Sequence, residues 1–136
     1  KCYVAVVFDV EVDTASGQIH LTNAAIAGDA GQIVNPNGLA NQLEGSVLQA
    51  ASWTLKEQVH YGRDWDTYPV LRFAEIPAVS VILLDQPSTP SLGSGEATQG
   101  PTPAAIANAV FDAAGVRLRE MPFTPERVKA ALAQLQ

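Results

Sequence analysis

Tyr3-Val4-Ala5-Val6-Val7-Phe8-Asp9-Val10-Glu11-Val12 sets Val4, Val6, Phe8, Val10 and Val12 on one face and Asp9 and Glu11 on the other. A period of two in β-branched and aromatic residues predicts a strand buried on one side and increasingly wet on the other. Asp13-Thr14-Ala15-Ser16-Gly17-Gln18 follows as a loop, with Gly17 free to take a positive φ. Ile19 to Ala27 reads as the return strand of a hairpin, and Gly28-Asp29-Ala30-Gly31 as a turn.

Beyond the hairpin, Asn35-Pro36 marks a helix start, because asparagine supplies an N-cap oxygen and proline a pre-set φ. Leu39, Leu43, Val47, Ala50, Ala51, Leu55 and Val59 then recur at three- and four-residue steps, an amphipathic helix of about five turns. Gly45, Ala50 and Ala51 on it predict close approach to a neighbouring element. Residues 64–78 read as irregular, tied down by Trp65 and Tyr68, and Val79 to Leu84 as a short apolar strand. Residues 86–101 show no periodicity, and a stretch of that length is functional or disordered. Thr102-Pro103 is expected to cap the next helix, which Gly115 stops, and Val116 to Glu120 to be short and extended. Thr124-Pro125 starts a last helix. The order ββαβαβα predicts an α+β domain, a mostly antiparallel sheet with helices packed on one face.

The chain has 136 residues, enough for a single domain over residues 1–136 with one core. Apolar residues make up 47% and charged residues 16%, a globular balance. Eight basic residues against fourteen acidic ones leave a charge of −6, which argues against nucleic acid as a partner. No apolar run reaches the roughly 18 residues of a membrane span. No signal-peptide pattern precedes the first strand, and the compartment stays unassigned between cytoplasm and periplasm. A chain that opens with Lys1 in mid-strand is expected to be cut from a longer polypeptide.

Candidate chemistry is sparse. The single cysteine, Cys2, excludes an internal disulfide and a cysteine metal cage. His20 and His60 lie forty positions apart and form no local ligand pair. Asp9, Glu11 and Asp13 match one wet face of a strand end better than a cation loop. The tract Arg63 to Tyr68 reads as an anchored surface loop sooner than a binding rim. Gly93-Ser94-Gly95-Glu96 is the most informative feature: its glycines let the backbone approach a bound group, and a desolvated carboxylate there is poised as a general base. On spacing alone a lone glutamate in such a loop is more often solvated. Gln42 and Gln49, seven apart, share one helix face. Amides can read a heterocycle edge, although such a stripe is more often a solvated surface.

Three blocks in order carry a resemblance. They are Ala27-Gly28-Asp29-Ala30-Gly31-Gln32-Ile33-Val34-Asn35-Pro36 with Asn41-Gln42-Leu43-Glu44-Gly45; Gly93-Ser94-Gly95-Glu96; and Ala105-Ile106-Ala107-Asn108-Ala109-Val110-Phe111-Asp112-Ala113 with Gly115-Val116-Arg117. The chain resembles the C-terminal part of the molybdenum-binding large subunit of the xanthine dehydrogenase/aldehyde oxidase family, the molybdenum hydroxylases. The stretch Arg63 to Phe73 resembles the branch acting on N-heteroaromatic compounds, which includes nicotinate dehydrogenase and isoquinoline 1-oxidoreductase.

The resemblance implies oxidative hydroxylation of an N-heteroaromatic compound or an aldehyde, with water as the oxygen source. It implies a molybdenum–pterin cofactor, as molybdopterin or its cytosine dinucleotide, held in the full subunit and not in this piece alone. Glu96 matches the family's catalytic base, and Gln42 the glutamine that hydrogen-bonds the pterin. Gly93, Ser94 and Gly95 would lie along the metal site, and no residue here is assigned as a metal ligand. Implied partners are the upstream part of the same subunit, an iron–sulfur subunit or domain, and a small-molecule substrate. The isolated piece is expected to be inactive and, with apolar surface exposed on the hairpin and long helix, to self-associate. Two departures stand out: Ala30 replaces a frequent cysteine, and Ala97-Thr98-Gln99 replaces the proline that commonly follows the glutamate, which is expected to loosen the loop. The alternative reading is a non-catalytic interaction domain descended from this fold.

Overall fold

The computed structural model describes residues 2–135. β1 (Tyr3–Val12) and β2 (Ile19–Asp29) form the hairpin, followed by α1 (Pro36–Leu55), a 3₁₀ turn at Phe73–Glu75, β3 (Ala78–Leu83), α2 (Pro101–Ala114) and α3 (Pro125–Ala133). The sheet runs β1-β2-β3, with β1 antiparallel and β3 parallel to β2. Parallel pairing follows from the route of the chain, because a helical crossover returns it to the end where β2 began. The fold is α+β with its helices on one face of the sheet, α2 along β1 and α1 across β2 and β3.

The alternation in β1 holds: Val4, Val6, Phe8, Val10 and Val12 all face the helices. In β2 the alternation breaks. Asp9 pairs with Asn23 but Val10 with Leu21, which leaves Thr22 as an extra residue in a bulge. Ile19 and Leu21 therefore share the buried face with Ala24 and Ile26. The Thr22 hydroxyl donates to the Asp9 carbonyl at 3.0 Å and closes the gap. β2 also runs two residues past Ala27, through Gly28 and Asp29, so the turn begins later than expected.

Both predicted caps at Asn35 and Thr124 are present, Asn35 Oδ1 accepting from the Gly38 N–H at 2.9 Å. α1 ends at Leu55, a turn short of Val59, which is exposed. Lys56 caps it and pairs with Glu75 of the 3₁₀ turn, so residues 56–77 leave the helix axis. Ala50 and Ala51 are fully buried as expected, whereas Gly45 faces open space. α2 starts at Pro101 behind Gly100, and Thr102 lies inside it, buried, with its hydroxyl donating to the Thr98 carbonyl at 2.7 Å. Residues 116–120 join no ladder, and the element order is ββαβαα. Val116 is buried in the core, and Arg117 folds back over the Phe111 ring at 3.6 Å. Val116 and Leu118 in that run serve packing, not strand pairing.

The core gathers Leu43 and Val47 of α1, Ile106 and Val110 of α2 and Val128 of α3 against Phe8 and Ile26 of the sheet. Each such side chain contributes about 1.5–3 kcal/mol by leaving water. The opposite face of the sheet is bare. Tyr3, Val7 and Ile82 stand 68%, 62% and 62% exposed on it, with Ala5, Ala25 and Ser80 between them.

Candidate functional site

The aperiodic stretch is ordered in two parts. Its first part runs beside residues 28–33. Leu84 N–H donates to the Gly28 carbonyl at 2.9 Å, Leu92 N–H to Ala30 at 2.8 Å, and Gln32 N–H to Thr89 at 3.0 Å. The Asp85 carboxylate accepts from Ile33 N–H at 3.0 Å, and the Ser91 hydroxyl donates to the Gln32 carbonyl at 2.5 Å. Gly31 makes this pairing possible: it has a φ of +72°, and a Cβ there would lie 2.2 Å from the Pro90 carbonyl oxygen.

The second part, carrying Glu96, is laid on α1. The Gly95 carbonyl accepts from Gln42 Nε2 at 2.7 Å and from Ser46 Oγ at 3.1 Å. Two residues after Glu96, the fully buried Thr98 donates its hydroxyl to the Leu43 carbonyl at 2.9 Å. Gln99 Nε2 donates to Gln49 Oε1 at 3.2 Å. Gln42, Ser46 and Gln49 lie at one- and two-turn spacing on one helix face. The polar stripe thus bonds the Gly93–Gly100 segment, with Ser46 buried beneath it while Gln42 and Gln49 also stay open to solvent. Ala97-Thr98-Gln99 does not loosen the loop, because two of its side chains fasten it to the helix.

Glu96 itself is exposed, and no hydrogen bond engages its carboxylate among the described residues. Gly93 and Gly95 border open space, where an added Cβ would meet nothing within 4 Å. Beside them a groove of about 340 Å³ runs between the start of α1 and the loop, lined by Gln32, Asn35, Gln42, Ser91, Leu92 and Ser94 among others. The amides and hydroxyls in that wall can both donate and accept, as a heterocycle edge requires. Gln42 keeps one N–H and its oxygen after bonding to Gly95. The residues present therefore fit a pterin wall. Among the described residues, no three His, Cys, Asp or Glu side chains gather where a metal ion could be held.

The remaining candidates lie elsewhere. A cavity of about 540 Å³ opens among His20, Leu21, Leu55, Lys56, Glu75 and Phe123, away from Glu96. Trp65 and Tyr68 stack with ring centroids 5.8 Å apart in an exposed segment that also holds His60. Cys2 is half-buried, and burial, with Asp29 adding to it, pushes its thiol above the ordinary 9.0, which disfavours the thiolate. Sequence reasoning missed Ser46, Thr98 and Gln99. Ser46 follows Gln42 by one turn and could have been found from that; the burial of Thr98 depends on contacts across 55 positions.

Comparison with known proteins shows the family of the chain. Residues 1–77 match the molybdopterin cofactor-binding domain, a span that includes Gln42 and stops before Glu96. The chain is 46% identical to a nicotinate dehydrogenase subunit of Pseudomonas putida, over 96% of its own length and 12% of that protein. It is 29% identical to the beta subunit of isoquinoline 1-oxidoreductase from Brevundimonas diminuta, over its whole length and 17% of that protein. Among solved structures, the aldehyde oxidoreductase from Desulfovibrio gigas superposes with a TM-score of 0.87 at 28% identity, over 97% of this chain and 15% of that one. The chain thus spans less than a fifth of the relatives it matches. An ordered set of family blocks, a matching family model and a shared fold converge: this chain belongs to the molybdopterin cofactor-binding domain of the xanthine dehydrogenase/aldehyde oxidase family.

Proposed function

We propose that this chain furnishes the proton-accepting carboxylate and one wall of the cofactor site in a molybdenum hydroxylase large subunit. The substrate is an N-heteroaromatic compound or an aldehyde, hydroxylated with water as the oxygen source. One observation carries the reading: Gln42 and the Glu96 loop, drawn from separate parts of the chain, meet through the Gly95 carbonyl beside an open polar groove. When bound, the molybdenum–pterin group, in its plain or cytosine dinucleotide form, supplies the redox and Lewis-acid chemistry. Glu96 then accepts a proton at its exposed carboxylate. Gln42 offers its remaining N–H and its oxygen to the pterin edge, while Gly93, Ser94 and Gly95 allow close backbone approach.

The partners in this reading are the rest of the large subunit, an iron–sulfur subunit or domain that takes the electrons, and the small substrate. The bare apolar face of the sheet supports the first of these, because Tyr3, Val7 and Ile82 need cover. In this reading the isolated chain turns over no substrate. Glu96→Gln in the complete enzyme tests the proposal. The amide keeps the shape and loses the base, so turnover falls about 10²–10⁴-fold while molybdenum content stays near normal. Activity within threefold of the parent would remove Glu96 from the reaction.

A further inference from the structure

Glu96 lies between two attachments of its loop to α1, one at the Gly95 carbonyl and one at the Thr98 hydroxyl, and neither involves the Glu96 side chain. On one side the Gly95 carbonyl takes two donors, Gln42 Nε2 at 2.7 Å and Ser46 Oγ at 3.1 Å. On the other, the Thr98 hydroxyl reaches the Leu43 carbonyl at 2.9 Å, and Thr98 is completely buried. The same residue's carbonyl receives the Thr102 hydroxyl at 2.7 Å, from the first turn of α2. Thr98 is therefore joined to both helices at once.

The pairing of Gln42 with Ser46 has a specific use. Gln42 is exposed and faces the groove, so its amide can turn toward a bound heterocycle. Ser46 is buried and cannot reach that groove. It retains the Gly95 carbonyl whichever way the amide points. We propose that Ser46 and Thr98 are positioning residues that together set where the Glu96 carboxylate stands, independently of the state of Gln42. The proposal rests on the reading of Glu96 as the proton acceptor. Misplacing a reacting group by about 1 Å costs on the order of 100-fold in rate, so two such fastenings have kinetic consequences.

The test uses the complete enzyme with Ser46→Ala, Thr98→Val and the hydroxyl-preserving Thr98→Ser. Amide hydrogen exchange, followed by mass spectrometry, is read on peptides covering 93–100 and on control peptides from the sheet. Ser46→Ala and Thr98→Val should each speed exchange in 93–100 by roughly tenfold or more and leave the sheet peptides unchanged. Each should lower kcat roughly 10- to 100-fold with KM within about twofold, and Thr98→Ser should recover most of both. Should Thr98→Val fail to assemble, Ser46→Ala decides alone. Unchanged exchange in 93–100 would overturn the proposal, as would faster exchange with an unaltered kcat. Activity surviving in Glu96→Gln would bring down the functional reading beneath it, and the exchange data separate that failure from failure of the fastening itself.

Discussion

A Cβ added to Gly28 would lie 2.7 Å from Leu43 Cδ1, so glycine in β2 and leucine in α1 fix how closely helix and sheet approach. Leu43 is fully buried and cannot swing aside. Its carbonyl is the one that receives Thr98, which makes this contact the floor of the candidate site.

Gly28→Ala should therefore destabilise the chain by about 1–3 kcal/mol through overpacking, and Leu43→Ala by about 2–5 kcal/mol through the cavity it leaves. Denaturant titrations followed by circular dichroism check both. A midpoint for Gly28→Ala at or above that of the parent would show that α1 gives way without cost.

Acid should weaken the link between α1 and the 3₁₀ turn. The Lys56 ammonium, aided by the Arg72 N–H, holds the Glu75 carboxyl below its ordinary 4.5. The folded value being the lower one, the pair's contribution is complete above the unfolded value and is lost as pH falls through the folded value. Asp13 behaves alike: the Ser16 hydroxyl, then the Ala15 and Ser16 N–H groups, lower its carboxyl from 3.8. Glu75 is largely solvated and Asp13 fully so, and the effect is modest. Unfolding midpoints between roughly pH 3 and 6 should fall less steeply with acid in Glu75→Gln than in the parent. Parallel curves would refute the assignment.

The bare sheet face should make the isolated chain associate. Val7 and Ile82 stand on rows Val7–Ala25–Ser80 and Ala5–Ala27–Ile82 of that face. Sedimentation velocity should show dimers or larger species for the parent chain and a shift to monomer for the Val7→Lys, Ile82→Lys double variant. A parent chain that stays monomeric at high concentration, without binding a hydrophobic dye, would contradict this.

Much of the architecture could be read from local pattern. The alternation in β1 and the caps at Asn35 and Thr124 depend on neighbours within a few residues, and they were readable for that reason. The bulge at Thr22 was not, since one inserted residue changes the phase of a strand without changing its composition. Just past the end of α1 at Leu55, Lys56 meets Glu75, a partner 19 positions away that no local pattern reveals. At the site, family blocks pointed to Gln42 and Glu96, but no pattern announced that Gln42 would bond the Gly95 carbonyl next to Glu96. That junction is made of side-chain bonds spanning 49 to 55 positions, and only the folded chain brings their ends together.

Because Gln42, Leu43, Ser46 and Gln49 all belong to a single continuous helix, α1 works as a measuring rod between the protein's interior and the edge where Glu96 stands. Its rise of about 1.5 Å per residue means that slippage by even one position would carry the whole acidic tip along. In the reading proposed for Glu96, damage deep among Val47 and Ala51 would therefore surface as a kinetic defect with Glu96 and Gln42 themselves intact.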